Sequence, residues 1–196
     1  ADAEGMAYGA REKKMGWNAQ PTAQVILDEV RVPASAMLGE EGEGFRIAMS
    51  ALDGGRVSIA ACSIGGARSA LDRATRYVQE RFTFGEPLAE KQAVVFALAD
   101  MATDLRAARG MVRDAAAALD ERSDDASMQC AMAKRFATDV GFRVANDALQ
   151  LHGGYGYLHD YGIEKIVRDL RVHQILEGTN EIMRIIIGRE LIGASR

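Results

Sequence analysis

Val94, Leu98, Met101, Leu105, Ala108, Val112, Ala115 and Leu119 recur at alternating steps of four and three along "QAVVFALADMATDLRAARGMVRDAAAALDE". That spacing places all of them on one stripe of an α-helix. A strand has a period of two and would scatter them over both faces. The stripe includes alanines, so its cover must come close, as a second helix does.

Two further long patterns supply that cover. From about Gly44, Val57, Ala60, Ile64, Ala67, Leu71, Ala74 and Val78 repeat at intervals of three and four, and Gly85 and Pro87 in "RFTFGEP" end the run. After the charged turn "DERSDD", Met128, Met132, Phe136, Val140 and Val144 mark one face of a third helix, which "HGGYGY" terminates. A shorter helix is expected over 160–172 and a last, buried one over 179–191. The reading is mainly α: an antiparallel bundle of the four-helix type.

The first forty residues differ. "AQVILDEVRV", bracketed by Pro21 and Pro33, reads as a strand, with "REKKMGW" as its candidate partner. Two strands do not make a stable sheet alone. Residues 1–40 are therefore expected to be the remnant of a β-domain and 41–196 the helical domain, the chain being part of a longer protein.

Apolar residues make up 48% of the 196, enough for a full core, and the net charge is −4 with acids and bases interleaved. That balance argues against nucleic-acid binding and a polybasic membrane anchor. Cys62 and Cys130 sit in helical patterns and suit a reducing compartment. No uninterrupted apolar run reaches ~18 residues, so no membrane span is expected, and no secretory signal opens the chain.

Several clusters carry potential chemistry. His173 and Glu177 stand one helical turn apart, but a di-iron bundle requires Glu-x-x-His pairs, which are missing from this sequence; no metal site is expected. Arg81 and Thr83 flank a glycine turn, where an arginine can clamp a phosphate or simply face solvent at a helix end. Gly54 and Gly55 interrupt a helical pattern between Asp53 and Arg56. They mark either a kink or a close approach, at about 1 kcal/mol of helix stability each. Gly153, Gly154 and Gly156 exceed the needs of one helix cap. Finally "ILEGTNEIMR" sets a carboxylate, Glu177, among apolar residues at the lip of the last helix.

Gln150, Gly153, Gly154, Gly156, Asp160, Lys165 and Asp169 fill every place of the C-terminal signature of the acyl-CoA dehydrogenases, which this stretch resembles. "ILEGTNEIMR" is similar to the family's Glu-Gly-Thr stretch, and Arg81, Phe84, Gly85 and Gln92 to its Arg-x-x-Phe-Gly…Gln stretch. The match runs from about Gly16 to Leu191 and corresponds to the C-terminal half of a family member.

The resemblance implies an FAD-dependent enzyme that oxidises an acyl-CoA thioester to a trans-2-enoyl-CoA. Glu177 would be the base that takes the α-proton, with burial raising it above its ordinary pKa of ~4.3. One branch of the family carries its base at the position of Gly55, which has no side chain to act. By the same resemblance Arg81 and Thr83 contact FAD phosphate from a neighbouring subunit, and Gln150, Gly153 and Gly154 contact the adenosine half. Thr179 and Glu181 contact FAD after the base. Asp53 and Arg56 line the pantetheine channel, Gly178 lets acyl chain or flavin pack close, and Arg189 lies near the CoA end. Also implied are a homo-oligomer (tetramer or dimer), electron-transfer flavoprotein as acceptor, and a bacterial cytoplasmic or mitochondrial matrix location. The competing reading is a helical oligomerisation or binding module, derived from that family and catalytically incomplete.

Overall fold

A computed structural model describes residues 3–193. Strands β1 (Met6–Tyr8) and β2 (Val25–Leu27) pair antiparallel and precede helix α1 (Gly44–Glu80). A small ribbon, β3 (Phe82–Thr83) with β4 (Glu86–Pro87), leads into α2 (Gln92–Glu121). Then come α3 (Ala126–His152), α4 (Ile163–Arg171) and α5 (Asn180–Leu191).

The seam of α2 is buried as its spacing requires: Met101, Leu105, Ala108, Val112 and Ala115 are in the core, with Leu98 and Leu119 packed against it. Each large apolar side chain so buried contributes roughly 1.5–3 kcal/mol. On α1 the buried line is Ala60, Ala67, Leu71, Ala74 and Val78, with Ile59, Ser63 and Ala70 beside it. Helix α1 runs unbroken through Gly54 and Gly55, so the glycine pair is not a helix junction.

Helix α3 is central and touches the other four helices. This shifts its buried side from the expected face. Met128, Met132 and Phe136 are only half-buried, while Cys130, Ala133, Ala137, Val140, Val144 and Ala148 are buried. A helix enclosed on several sides buries its small residues, and a single stripe drawn through its large ones misses that. Where α3 crosses α1, a Cβ on Gly141 would lie 3.1 Å from the Ser63 backbone oxygen, so the helices nearly touch.

The β-segment also departs from expectation. The partner of β2 is Met6–Tyr8 rather than "REKKMGW". The latter forms the connecting loop: the Lys14 amine donates to the Trp17 carbonyl at 3.0 Å and to the Thr22 hydroxyl at 3.1 Å. Gly16 lies flat on α4, where a Cβ would sit 2.6 Å from the Arg168 carbonyl carbon. Asp169 accepts from the Trp17 backbone N–H at 2.5 Å.

Helix α4 begins at Ile163, later than expected, because residues 153–161 form two 3₁₀ turns. In α5 only Asn180 and Met183 are buried, so the apolar run there is not a core helix; Ile182 and Ile185 face solvent. Helix α1 contains an 18-residue window with a mean hydropathy of 1.2, enough to cross a membrane by length and composition alone. One such helix is also what the interior of a helical bundle contains, so the test does not set α1 apart from a core helix. Much of its apolar character is alanine, and Ala60, Ala67, Ala70 and Ala74 pack inside the bundle.

Candidate active site

The loop from Leu176 to Thr179 turns the chain from α4 into α5. Glu177 and Gly178 both adopt left-handed backbone angles, φ 56° and 83°. For glutamate this conformation is strained, and it persists only where surrounding contacts enforce it. Thr179 then caps α5, its hydroxyl accepting from the Ile182 N–H at 3.4 Å. A Cβ on Gly178 would come 2.8 Å from the methyl carbon of Met183, the end of a flexible side chain, so it is chiefly the angle that calls for glycine there.

The left-handed turn lays the Glu177 carboxylate on α1 at Gly55, where a Cβ would be 2.3 Å from Glu177 Oε2. The close approach at the glycine pair is thus made by this carboxylate. Asp53 and Arg56 directly flank Gly54 and Gly55. They pair at 2.5 Å, with Arg56 only 5% exposed, and the Ser127 hydroxyl donates to Asp53 at 3.1 Å. Glu177 itself is half-buried and Ile175 is 50% exposed, so the apolar enclosure expected from its neighbours is incomplete within this chain.

Sequence reasoning missed the residue beneath the loop. Lys134 of α3 is fully buried and donates to the Gly178 carbonyl and to Asn180 Oδ1, both at 2.8 Å. Desolvation pulls its pKa down to about 8. Asn180 in turn donates to Asp139 at 2.7 Å and to the Thr138 hydroxyl at 2.9 Å. The available signal was a lone lysine one turn before Thr138 and two before Gly141, on a face of small residues. His173 does not join Glu177; it bonds the Ser63 hydroxyl at 2.7 Å, and burial lowers its pKa to about 4.

A second cluster forms at the other end of α1. A groove of about 450 Å³ is lined by Arg81, Thr83, Gln150, Gly153 and Gly154, together with Tyr77, His152 and Tyr155. Gly153 and Gly154 have nothing within 4 Å of where a Cβ would stand, which leaves their backbone open to the groove. The Arg81 guanidinium lies 5.2 Å from the Tyr155 ring centroid, and no carboxylate pairs with it among the described residues. His152 stacks on Tyr77 at 4.3 Å and forms an aromatic wall that sequence reading did not single out. An open backbone, an unpaired guanidinium and flat rings suit the phosphate and adenine of a dinucleotide.

The clusters do not meet. Gly55 and Arg81 are about 39 Å apart along α1 at 1.5 Å per residue. Thr179 and Glu181 belong to the Glu177 end, Glu181 being exposed beside Arg184 at 3.8 Å. Arg189 is exposed, about 14 Å further along α5 than Asn180.

The helical bundle is that of a C-terminal domain of flavoprotein dehydrogenases, as comparison with known proteins shows. The family profile "Acyl-CoA dehydrogenase, C-terminal domain" matches residues 42–192, and the chain belongs to the acyl-CoA dehydrogenase family, FAD-dependent oxidoreductases acting on CH–CH groups. It is 53% identical over 188 residues to the mitochondrial isobutyryl-CoA dehydrogenase of Bos taurus, covering 96% of this chain and 45% of the relative. The solved butyryl-CoA dehydrogenase of Megasphaera elsdenii superposes with a TM-score of 0.95 at 43% identity, over 97% of this chain and 50% of that one. A chain solved in work on the electron transferring flavoprotein of Acidaminococcus fermentans gives 0.96 at 45% identity, over 98% and 50%. This chain therefore spans about half the length of the relatives it matches.

Proposed function

We propose that the protein carrying this chain is an acyl-CoA dehydrogenase that desaturates the Cα–Cβ bond of a short, branched acyl-CoA, and that Glu177 is its base. The observation that supports this best is the strained loop that lays the Glu177 carboxylate across Gly55. A backbone held in an unfavourable conformation, anchored from below by a buried lysine, is what fixing a reactive group demands. The branched preference follows the similarity to isobutyryl-CoA dehydrogenase.

Glu177 takes the proton from Cα of the thioester onto a carboxylate oxygen. Its half-buried position leaves one side of that carboxylate open to a substrate. FAD, when bound, supplies the acceptor for the hydride that leaves Cβ. Thr179 and Glu181 serve that cofactor at the Glu177 end, and Arg81, Thr83, Gln150, Gly153 and Gly154 hold the phosphate and adenosine of one belonging to another subunit. The separation along α1 supports this division, because groups about 39 Å apart cannot both hold one cofactor's reacting ring. Asp53, Arg56 and Gly178 border the acyl-CoA path, with Arg189 toward the CoA end. Residues 1–40 are taken as the end of a β-domain and 41–196 as the helical domain. A homo-oligomer and an electron-transfer flavoprotein as acceptor belong to the same proposal, as does a bacterial cytoplasmic or mitochondrial matrix setting.

The test is Glu177→Gln in the flavin-loaded enzyme assayed with isobutyryl-CoA. The amide keeps shape and loses basicity, so turnover is expected to drop at least ~10²-fold with flavin content unchanged. Retention of more than about a tenth of turnover would remove Glu177 as the base.

A further inference from the structure

We propose that Lys134 is a positioning residue: its buried amine clamps the Glu177–Gly178 turn from below and thereby sets where the Glu177 carboxylate lies. The proposal rests on Glu177 being the base. Burial of a lysine is costly unless its polar end is matched. Here it is matched by two acceptors, the Gly178 carbonyl and Asn180 Oδ1, both at 2.8 Å. These acceptors stand on either side of the Thr179 cap, so one amine spans the junction between turn and helix. Neither bond belongs to the regular hydrogen bonding of α3 or α5.

The geometry distinguishes this clamp from ordinary core packing. Glu177 and Gly178 form a consecutive pair of left-handed residues. Glycine adopts such angles freely, but glutamate does not, so Glu177 relaxes toward extended or right-handed angles unless contacts hold the turn. The Gly178 carbonyl is the group held. Asn180, the second acceptor, is itself fixed by Thr138 and by Asp139. Helix α3 thus grips the turn through a chain of bonds that begins at Lys134, while α1 receives the carboxylate at Gly55. The charged groups around the amine are Asp139 on its own helix, Glu177 in the turn, Glu181 on α5 and Arg56 on α1.

The experiment compares Lys134→Met, which keeps the stem and removes the amine, and Lys134→Gln, which is polar but shorter, in the flavin-loaded enzyme with isobutyryl-CoA. Glu177→Gln is run alongside. Two readouts are taken: the kcat and KM pair, and amide hydrogen exchange by mass spectrometry. For each Lys134 variant the expected result is a kcat lowered about 10- to 100-fold with KM within about threefold, as for loss of alignment. Amides of 177–182 should exchange at least about tenfold faster while those of α2 are unchanged. Glu177→Gln should lose turnover with slow exchange preserved. A folded Lys134 variant with kcat within about twofold of the parent, or with unchanged exchange in 177–182, overturns the clamp. So does failure of both variants to fold, which would make Lys134 a folding residue. An active Glu177→Gln would instead remove the base assignment, and the exchange data would still decide whether Lys134 holds the turn.

Discussion

Gly55→Ala adds one methyl group where the Glu177 carboxylate rests. The new carbon would stand 2.3 Å from Oε2 and 2.9 Å from Cδ, whereas ordinary contact begins at 3.4 Å. The carboxylate must retreat by about 1 Å, and a displacement of that size at a reacting group costs about 10²-fold in rate. That is roughly 2.7 kcal/mol of barrier. The helix responds in the opposite sense, since alanine is favoured over glycine in a helix interior by about 1 kcal/mol. Gly65→Ala is the control: it lies on the exposed side of the same helix with nothing within 4 Å. Both variants should match or exceed the parent in thermal unfolding. Only Gly55→Ala should lose turnover, measured by flavin reduction with isobutyryl-CoA under single-turnover conditions. A Gly55→Ala enzyme that keeps more than about a third of the parent's rate would refute the reasoning, because the carboxylate could then sit elsewhere and still react.

Two further outcomes are expected. Arg81→Ala should weaken flavin retention by roughly 1.5–3 kcal/mol, read by equilibrium dialysis, with helicity unchanged, since Arg81 is exposed at the end of α1. His173, neutral and buried on Ser63 with its pKa near 4 against an ordinary 6.5, binds its proton more readily when unfolded. Its contribution is therefore whole above pH 6.5 and is lost as pH falls toward 4, by about 3 kcal/mol in denaturant titrations. His173→Gln should flatten that dependence.

The sequence was most legible where one face of an element is buried. The α2 seam is an example: its two sides have different solvents, so its period is visible. Family membership was legible too, in the order of residues from Arg81 to Gln92 and around Glu177, which resembles that of the family whose profile matches residues 42–192. The sequence was least legible on α3, because a helix packed on several sides loses its period. Lys134 was overlooked for a related reason. A lysine reads as solvated until its acceptors are known, and these lie 44 and 46 residues away in the chain. The pairing of β1 with β2 failed similarly. "MAY" is too short to announce a strand, and the role of "REKKMGW" as a loop depends on its contact with α4.

The distance between the two ends of α1 has a genetic consequence. If each cofactor seat combines the Glu177 end of one chain with the Arg81 end of another, damage at one end is not confined to the chain that bears it. Two alleles, one lacking Glu177 and the other lacking Arg81, would each encode an enzyme impaired at every seat. Expressed together and assembled at random in symmetric pairs, they would leave about one quarter of the seats with both ends intact. Partial rescue in such a cell, and none from two alleles broken at the same end, would mark the seat as a property of the assembly.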